Sequence, residues 1–206
     1  MPKEDRLTKA RQLVGFQLVK LNEKDRSVEL AKSGMRLDLG GIAKGYAIDE
    51  AIRVLDEHGI KSALIDAGGD IGMSGPPPGR PGWRIGIARL EANRPPSRYL
   101  WLSNIAIANS GDTWQYVEIE GKRYSHIVDP RTGLGLTDHS NVTVIAPNCM
   151  MADSLASAVS VLGPTAGMKL IEATPDTAAL IVKAPNGQLH TYETCRWNRY
   201  PVTRQE

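Results

Sequence analysis

The chain is short of aromatic residues: it has one phenylalanine, and aromatics make up 5% of its 206 positions. Stacking platforms for bases or sugars therefore cannot be numerous. Cysteine is scarce as well. Cys149 and Cys195 lie far apart and form no cluster of the kind that holds zinc or iron. They could pair or stay free, so they leave the redox compartment open. No charge of one sign dominates, with a net charge of +2; that balance gives no argument for a nucleic-acid or membrane surface. No apolar run approaches the ~20 residues that span a bilayer. The start, Met1-Pro2-Lys3-Glu4-Asp5-Arg6, lacks the hydrophobic segment of a signal peptide. The expectation is a cytoplasmic chain, or one whose targeting segment is not part of this sequence.

What is present is an ordinary globular composition, 41% hydrophobic and 23% charged, enough for one full core or two lobes. Residues 3–14 read as a polar helix, and 16–21 as a strand with a hairpin partner at 28–30. Residues 36–39 read as a strand entering Gly40-Gly41, and a helix then runs to His58-Gly59, where glycine suits the C-terminus. Its apolar face takes in Ile42, Ala43, Tyr46, Ala47, Ala51, Ile52, Val54 and Leu55. Residues 63–71 form an apolar strand interrupted by Ala67-Gly68-Gly69-Asp70, a bulge or a place of close approach. Strands follow at 83–88, 99–102 and 104–108, the last two as an antiparallel set, and then a hairpin over 116–120 and 123–128. Asp129-Pro130-Arg131-Thr132-Gly133 is a turn. A strand at 142–146 leads into a small-residue helix over 148–161, stopped by Gly163-Pro164. A helix at 165–173, a strand at 178–184 and a polar tail complete the chain. There is no repeat and no domain break. The fold class is α+β, a single domain over 1–206 with mostly antiparallel sheet and packed helices.

Four places carry chemistry. A glycine turn feeding a helix leaves backbone N–H groups that favour an anion, with Lys44 in the first helical turn; the same glycines equally suit close packing. No Walker A pattern is present. Asp153 and Ser157, four apart on a helix, share a face and form a hard oxygen site suited to Mg²⁺; they equally suit a solvated carboxylate and a small packing residue. His126, just before the 129–133 turn, could act as a general base assisted by Asp129, or Asp129 could simply cap its own turn. Ser110-Gly111-Asp112 lacks the nucleophile elbow and reads better as a ligand-holding loop.

Taken in order, five blocks resemble the ApbE family of flavin transferases, which move FMN from FAD onto a protein hydroxyl. They are Leu37-Asp38-Leu39-Gly40-Gly41-Ile42-Ala43-Lys44-Gly45, Asp66-Ala67-Gly68-Gly69-Asp70, Ser110-Gly111, His126 through Gly133, and Ala152 through Ala158. The resemblance implies an ApbE-like (T-fold-like) architecture lacking the N-terminal third of the family pattern. It implies Mg²⁺ on the Asp153 carboxylate, the Ser157 hydroxyl and the Gly41 carbonyl, with Ser157 standing where many relatives have threonine. It further implies FAD as substrate in a cleft lined by Lys44, Asp66, Gly68, Gly69, Asp70, Ser110, Gly111 and Thr132. The acceptor would be a Thr or Ser of another protein, with His126 taking its proton and Asp129 orienting His126 or binding substrate. AMP would leave. The alternatives are hydrolysis of FAD to FMN and AMP, or a truncated chain that only binds flavin. By resemblance the protein is expected in the periplasm or anchored to the membrane as a lipoprotein, with the cytoplasm not excluded.

Overall fold

The computed structural model describes residues 1–91, 94–96, 98–200 and 202–204. In chain order the elements are α1 (Glu4–Arg11), β1 (Val19–Asn22), β2 (Ser27–Leu30), α2 (Ala43–Glu57), β3 (Leu64–Ala67) and β4 (Asp70–Met73). Then come β5 (Trp83–Gly86), β6 (Arg98–Leu102), β7 (Ile105–Gly111), β8 (Tyr116–Ile119), β9 (Lys122–Ser125), β10 (Val128–Asp129) and β11 (Leu134–Gly135). The last are β12 (Ser140–Ala146), α3 (Cys149–Ala173), β13 (Ala178–Lys183), β14 (His190–Glu193) and β15 (Val202–Arg204).

The centre is a six-stranded antiparallel sheet in the order β14-β13-β12-β7-β4-β3. Alternation along its strands divides two cores. Val142, Val144 and Ala146 of β12 and Ala106 and Ala108 of β7 face α2 and α3, meeting Ile48, Ala152, Ala156 and Val159. Ile107, Ile145 and Leu180 point the other way, onto Ile85, Leu100, Leu102 and Trp197 beneath the small sheet β15-β6-β5. The architecture is thus helices, sheet, sheet, and the α+β class holds.

The helices sit close because the facing side chains are small, Ala152 and Ala156 against Ala106, Ala108 and Ala146. α2 crosses the start of α3 at Gly45, where a Cβ would lie 2.4 Å from the Cys149 carbonyl oxygen. Only glycine fits there without moving backbone. α2 ends as expected: the Ile60 amide donates to Leu55 O (2.9 Å) and the Gly59 amide to Asp56 O (3.0 Å), a Schellman closure. α3 is broken at Gly163, whose backbone is non-helical, immediately before Pro164. Among the described residues α3 alone has the length and apolarity to cross a membrane. In this fold its Ala152, Ala156 and Val159 are buried against the central sheet.

Several sequence expectations need correction. Residues 35–39 form no strand; Leu37 and Leu39 are exposed and no neighbouring strand offers a ladder. The face α2 buries is Gly45 and Ile48 with Ile52 beside them, whereas Tyr46 and Val54 face water. Ala67-Gly68-Gly69-Asp70 is not a bulge but a hairpin turn between β3 and β4, with both glycines at positive φ. β6 does not pair with β7: it joins β5 and β15, while β7 lies between β12 and β4. Ser110 and Gly111 belong to β7, paired with Val142 and Asn141, rather than interrupting the pattern. The polar tail carries β14 and a short 3-10 turn that buries Trp197. At the other end, the first buried residue is Gly45, so the segment before it contributes nothing to either core.

Candidate functional site

The site is built where α2 starts, beside the first turns of α3. Asp49, in the second turn of α2, accepts hydrogen bonds from the first α3 amides, Cys149 N (2.7 Å) and Met150 N (2.8 Å). Asn148 caps the same helix by accepting from Met151 N at 2.9 Å. The two helices are thereby locked end to end, which brings residues a hundred positions apart together.

Within this junction Asp153 is 5% exposed and accepts from Gly45 N at 3.1 Å. Burial pushes its carboxyl above the ordinary value, the Gly45 amide pulls it back, Asp70 pushes it up and Lys44 pulls it down. One helical turn along, half-buried Ser157 meets Gly41: a Cβ on that glycine would fall 3.1 Å from Ser157 Oγ. The three residues assigned to metal are therefore neighbours. Asp153 is a nearly buried carboxylate held by one backbone amide, beside a hydroxyl and a backbone segment. Such an oxygen-only set suits a hard cation better than a thiophilic one. No cluster of three His, Cys, Asp or Glu exists among the described residues, so a cation here would also need oxygens from the backbone or a substrate.

Beside it, Lys44 Nζ lies 2.5 Å from Asp70 Oδ2; Asp70 is only 1% exposed, and about half of the Lys44 side chain is exposed. Burial draws the lysine down, but its bond and charge interaction with Asp70, with Asp153 adding to them, leave its pKa raised. Asp70 also accepts from Asn109 N at 3.2 Å, Asn109 Nδ2 donates to Gly69 O (3.1 Å), and Thr143 Oγ1 donates to Asn109 Oδ1 (2.7 Å). Asp70 thus supports Lys44 and the β3–β4 turn from beneath instead of offering an oxygen to solvent. Asp66 is exposed and accepts from Gly69 N (2.8 Å), closing the turn that contains Gly68. The helix start is not an open anion nest, because Ala43 N, Gly45 N and Tyr46 N already donate to Leu39 O, Asp153 and Ile42 O.

His126 lies at the exposed end of β9. Both its backbone amide and its Nδ1 lie 3.1 Å from the Gln115 carbonyl oxygen, which can only accept. The neutral ring therefore carries its proton on Nδ1 and keeps a lone pair on Nε2. Asp129 does not orient it. Its carboxylate takes Arg131 Nε (2.8 Å) and Nη2 (2.8 Å) together with Arg131 N (2.8 Å). That side-chain bond to Arg131 holds the Asp129 carboxyl below its ordinary value. Thr132 is exposed in the same turn, its hydroxyl accepting from Leu134 N. Ser110 offers its carbonyl to Ser160 Oγ at 3.5 Å, and Gly111 packs against the Ser140 carbonyl. The chain's thiols are separate and free: burial pushes Cys149 up to about 12, and Cys195 is exposed.

Sequence reasoning missed Asp49, Asn109, Thr143 and Arg131. Asp49 had one visible signal: it is the first carboxylate in the helix that follows the Gly-Gly turn.

Compared with known proteins, residues 1–181 match the model of the ApbE family. The chain belongs to the ApbE family. It is 32% identical over 189 residues to the FAD:protein FMN transferase of Vibrio cholerae serotype O1, covering 91% of this chain and 56% of that one. It is 36% identical over 166 residues to the FAD:protein FMN transferase of Treponema pallidum, covering 76% and 46%. Among solved structures, the flavin transferase ApbE from Vibrio cholerae superposes with a TM-score of 0.85 at 28% identity, covering 98% of this chain and 63% of that one. The ApbE protein from Thermotoga maritima gives 0.83 at 30% identity, covering 100% and 65%. This ApbE chain therefore spans about half the length of the curated relatives it matches.

Proposed function

We propose that this chain carries the metal- and base-bearing part of an FAD:protein FMN transferase. The reading is carried by one observation: Gly41, Gly45, Asp153 and Ser157 converge at the α2–α3 junction, in a chain whose curated relatives bear that activity in their names. Asp153 and Ser157, with the backbone at Gly41, would hold Mg²⁺. When bound, that ion would supply charge neutralisation at the pyrophosphate of FAD. Lys44, braced from below by Asp70, would present its ammonium to the same phosphates. His126 Nε2 would accept the proton of a Thr or Ser hydroxyl of the acceptor protein. That oxygen attacks the FMN phosphorus, the bond from this phosphorus to the bridging oxygen breaks, and AMP departs with the bridging oxygen. The product is a phosphoester between FMN and the acceptor.

The test is mass spectrometry of a Thr-containing acceptor protein after incubation with the chain, FAD and Mg²⁺. Covalent FMN on the hydroxyl, lost in His126→Gln and in Asp153→Ala, is the expected result. Free FMN and AMP without labelling would indicate hydrolysis instead, and binding of FAD without turnover would leave only a flavin-binding chain. We place the protein in the periplasm or at the membrane as a lipoprotein, a placement supported by family resemblance. Fractionation of producing cells that finds the protein only in the cytoplasm would contradict it.

A further inference from the structure

We propose that Arg131 is a positioning residue that ties the turn beyond His126 to the helix face bearing Asp153 and Ser157. Its side chain is 67% exposed, yet two of its three guanidinium nitrogens are engaged. Nε and Nη2 hold the Asp129 carboxylate, and Nη2 also donates to the Val161 carbonyl at 3.1 Å. That carbonyl is accessible for a physical reason. α3 is broken at Gly163 and the next residue is Pro164, so the helix cannot supply its usual donors to the last carbonyls before the break.

The address matters. Asp153, Ser157 and Val161 are spaced four apart and share one helix face, so the Val161 anchor lies about 6 Å along the axis beyond Ser157. At the other end, the segment running from His126 to the turn is a stiff unit. β10 pairs with β11 through Val128↔Gly135 and Asp129↔Leu134. Leu136 N donates to Ile127 O (2.8 Å) and Ser125 N to Leu136 O (2.7 Å), and the turn closes through Gly133 N to Asp129 O (2.7 Å). A rigid hairpin carrying the base is thus hooked at its tip onto the helix carrying the oxygen donors. Arg131 supplies the hook, and Asp129 holds the guanidinium in the geometry that reaches Val161. A lysine has one ammonium in place of this planar fork and cannot grip both partners in the same way.

This inference rests on the functional reading above, and the experiment separates the two. Arg131→Ala and Arg131→Lys are made in the full chain, and FMN transfer or FAD hydrolysis is followed together with amide exchange. A misplaced base is expected to lower kcat on the order of 10- to 100-fold while KM for FAD stays within about twofold. Guanidinium added to Arg131→Ala should restore part of the lost kcat, and the amides of 129 and 131–133 should exchange faster while those of 149–161 do not. A raised KM with unchanged kcat would make Arg131 a substrate-binding residue and overturn the proposal, as would unchanged kcat or unchanged exchange. If His126→Gln turns over FAD as fast as the unsubstituted chain, the functional reading fails on its own terms. The tie is then judged by exchange: faster exchange at 129 and 131–133 in Arg131→Ala keeps it, and unchanged exchange removes it.

Discussion

Gly45→Ala is the sharpest probe of how the site is assembled. The added methyl would sit 2.4 Å from Cys149 O, 2.6 Å from Cys149 C and 2.6 Å from Met150 Cα, all backbone atoms. Ordinary contact begins near 3.4 Å, so the two helix starts must separate by about 1 Å. That movement stretches the Gly45 N–Asp153 bond and the two bonds Asp49 makes to α3. Overpacking costs about 1–3 kcal/mol. Weakening a hydrogen bond to a charged group costs about 1.5–3 kcal/mol. The helix-propensity gain of alanine over glycine returns only about 1 kcal/mol. The net expectation is a loss of about 2–4 kcal/mol, or a Tm lowered by roughly 5–15 °C for a chain of this size. Urea unfolding followed by circular dichroism, beside a Mg²⁺ titration, measures both stability and site integrity. Gly45→Ala as stable as the parent, with unchanged metal affinity, would refute the close helix crossing as the device that builds the site.

Other substitutions test separate parts. Asp49→Ala should destabilise by about 1–3 kcal/mol in the same urea assay, because two helix-start amides lose their acceptor, and Asp49→Asn should cost less. Lys44→Met leaves Asp70 buried beside no cation; allowing for the lysine's partial exposure, a loss of about 2–3 kcal/mol is expected from thermal unfolding. Asp153 has a raised folded pKa, so its ionised form opposes folding above that pKa and the penalty is relieved as pH falls through it. Asp153→Asn should therefore leave the metal-free protein at least as stable at pH 7 while abolishing stabilisation by Mg²⁺, and a less stable, still Mg²⁺-responsive variant would contradict this. With Cys149 pushed up to about 12 and buried, a disulfide reagent at pH 8 should titrate Cys195 in the folded chain and both thiols in denaturant.

Local punctuation made much of the fold readable from residues alone. Gly59 ends α2, Gly163-Pro164 breaks α3, and Glu120-Gly121 turns the β8–β9 hairpin, each through backbone chemistry its own residue dictates. Long-range choices were not readable in this way. β6 and β7 are successive alternating segments, and adjacency favoured pairing them; the second core beneath the central sheet instead draws β6 to β5 and β15. Met35, Leu37 and Leu39 alternate like a strand, but alternation has no force without a neighbouring ladder. Of the site, Asp153 and Ser157 share a face by helical spacing, so their proximity was legible. Their meeting with Gly41 was reached only through resemblance to a family, and the Gly45 amide on Asp153 came from the structure alone. Asp49 and the Arg131 bond to Val161 were out of reach for a simple reason: the groups they meet are backbone atoms of α3, 100 and 30 positions away.

The proposed function requires that the start of α2 and the first turns of α3 form one metal site for flavin transfer. Crystals of the chain soaked with Mn²⁺ and FAD, with anomalous scattering used to place the ion, test it most directly. The predicted result is a peak bonded to the Asp153 carboxylate, Ser157 Oγ and the Gly41 carbonyl, at about 2.1–2.2 Å, with FAD phosphate oxygens completing the shell. A peak elsewhere, or FAD bound with no metal against Asp153, would contradict it.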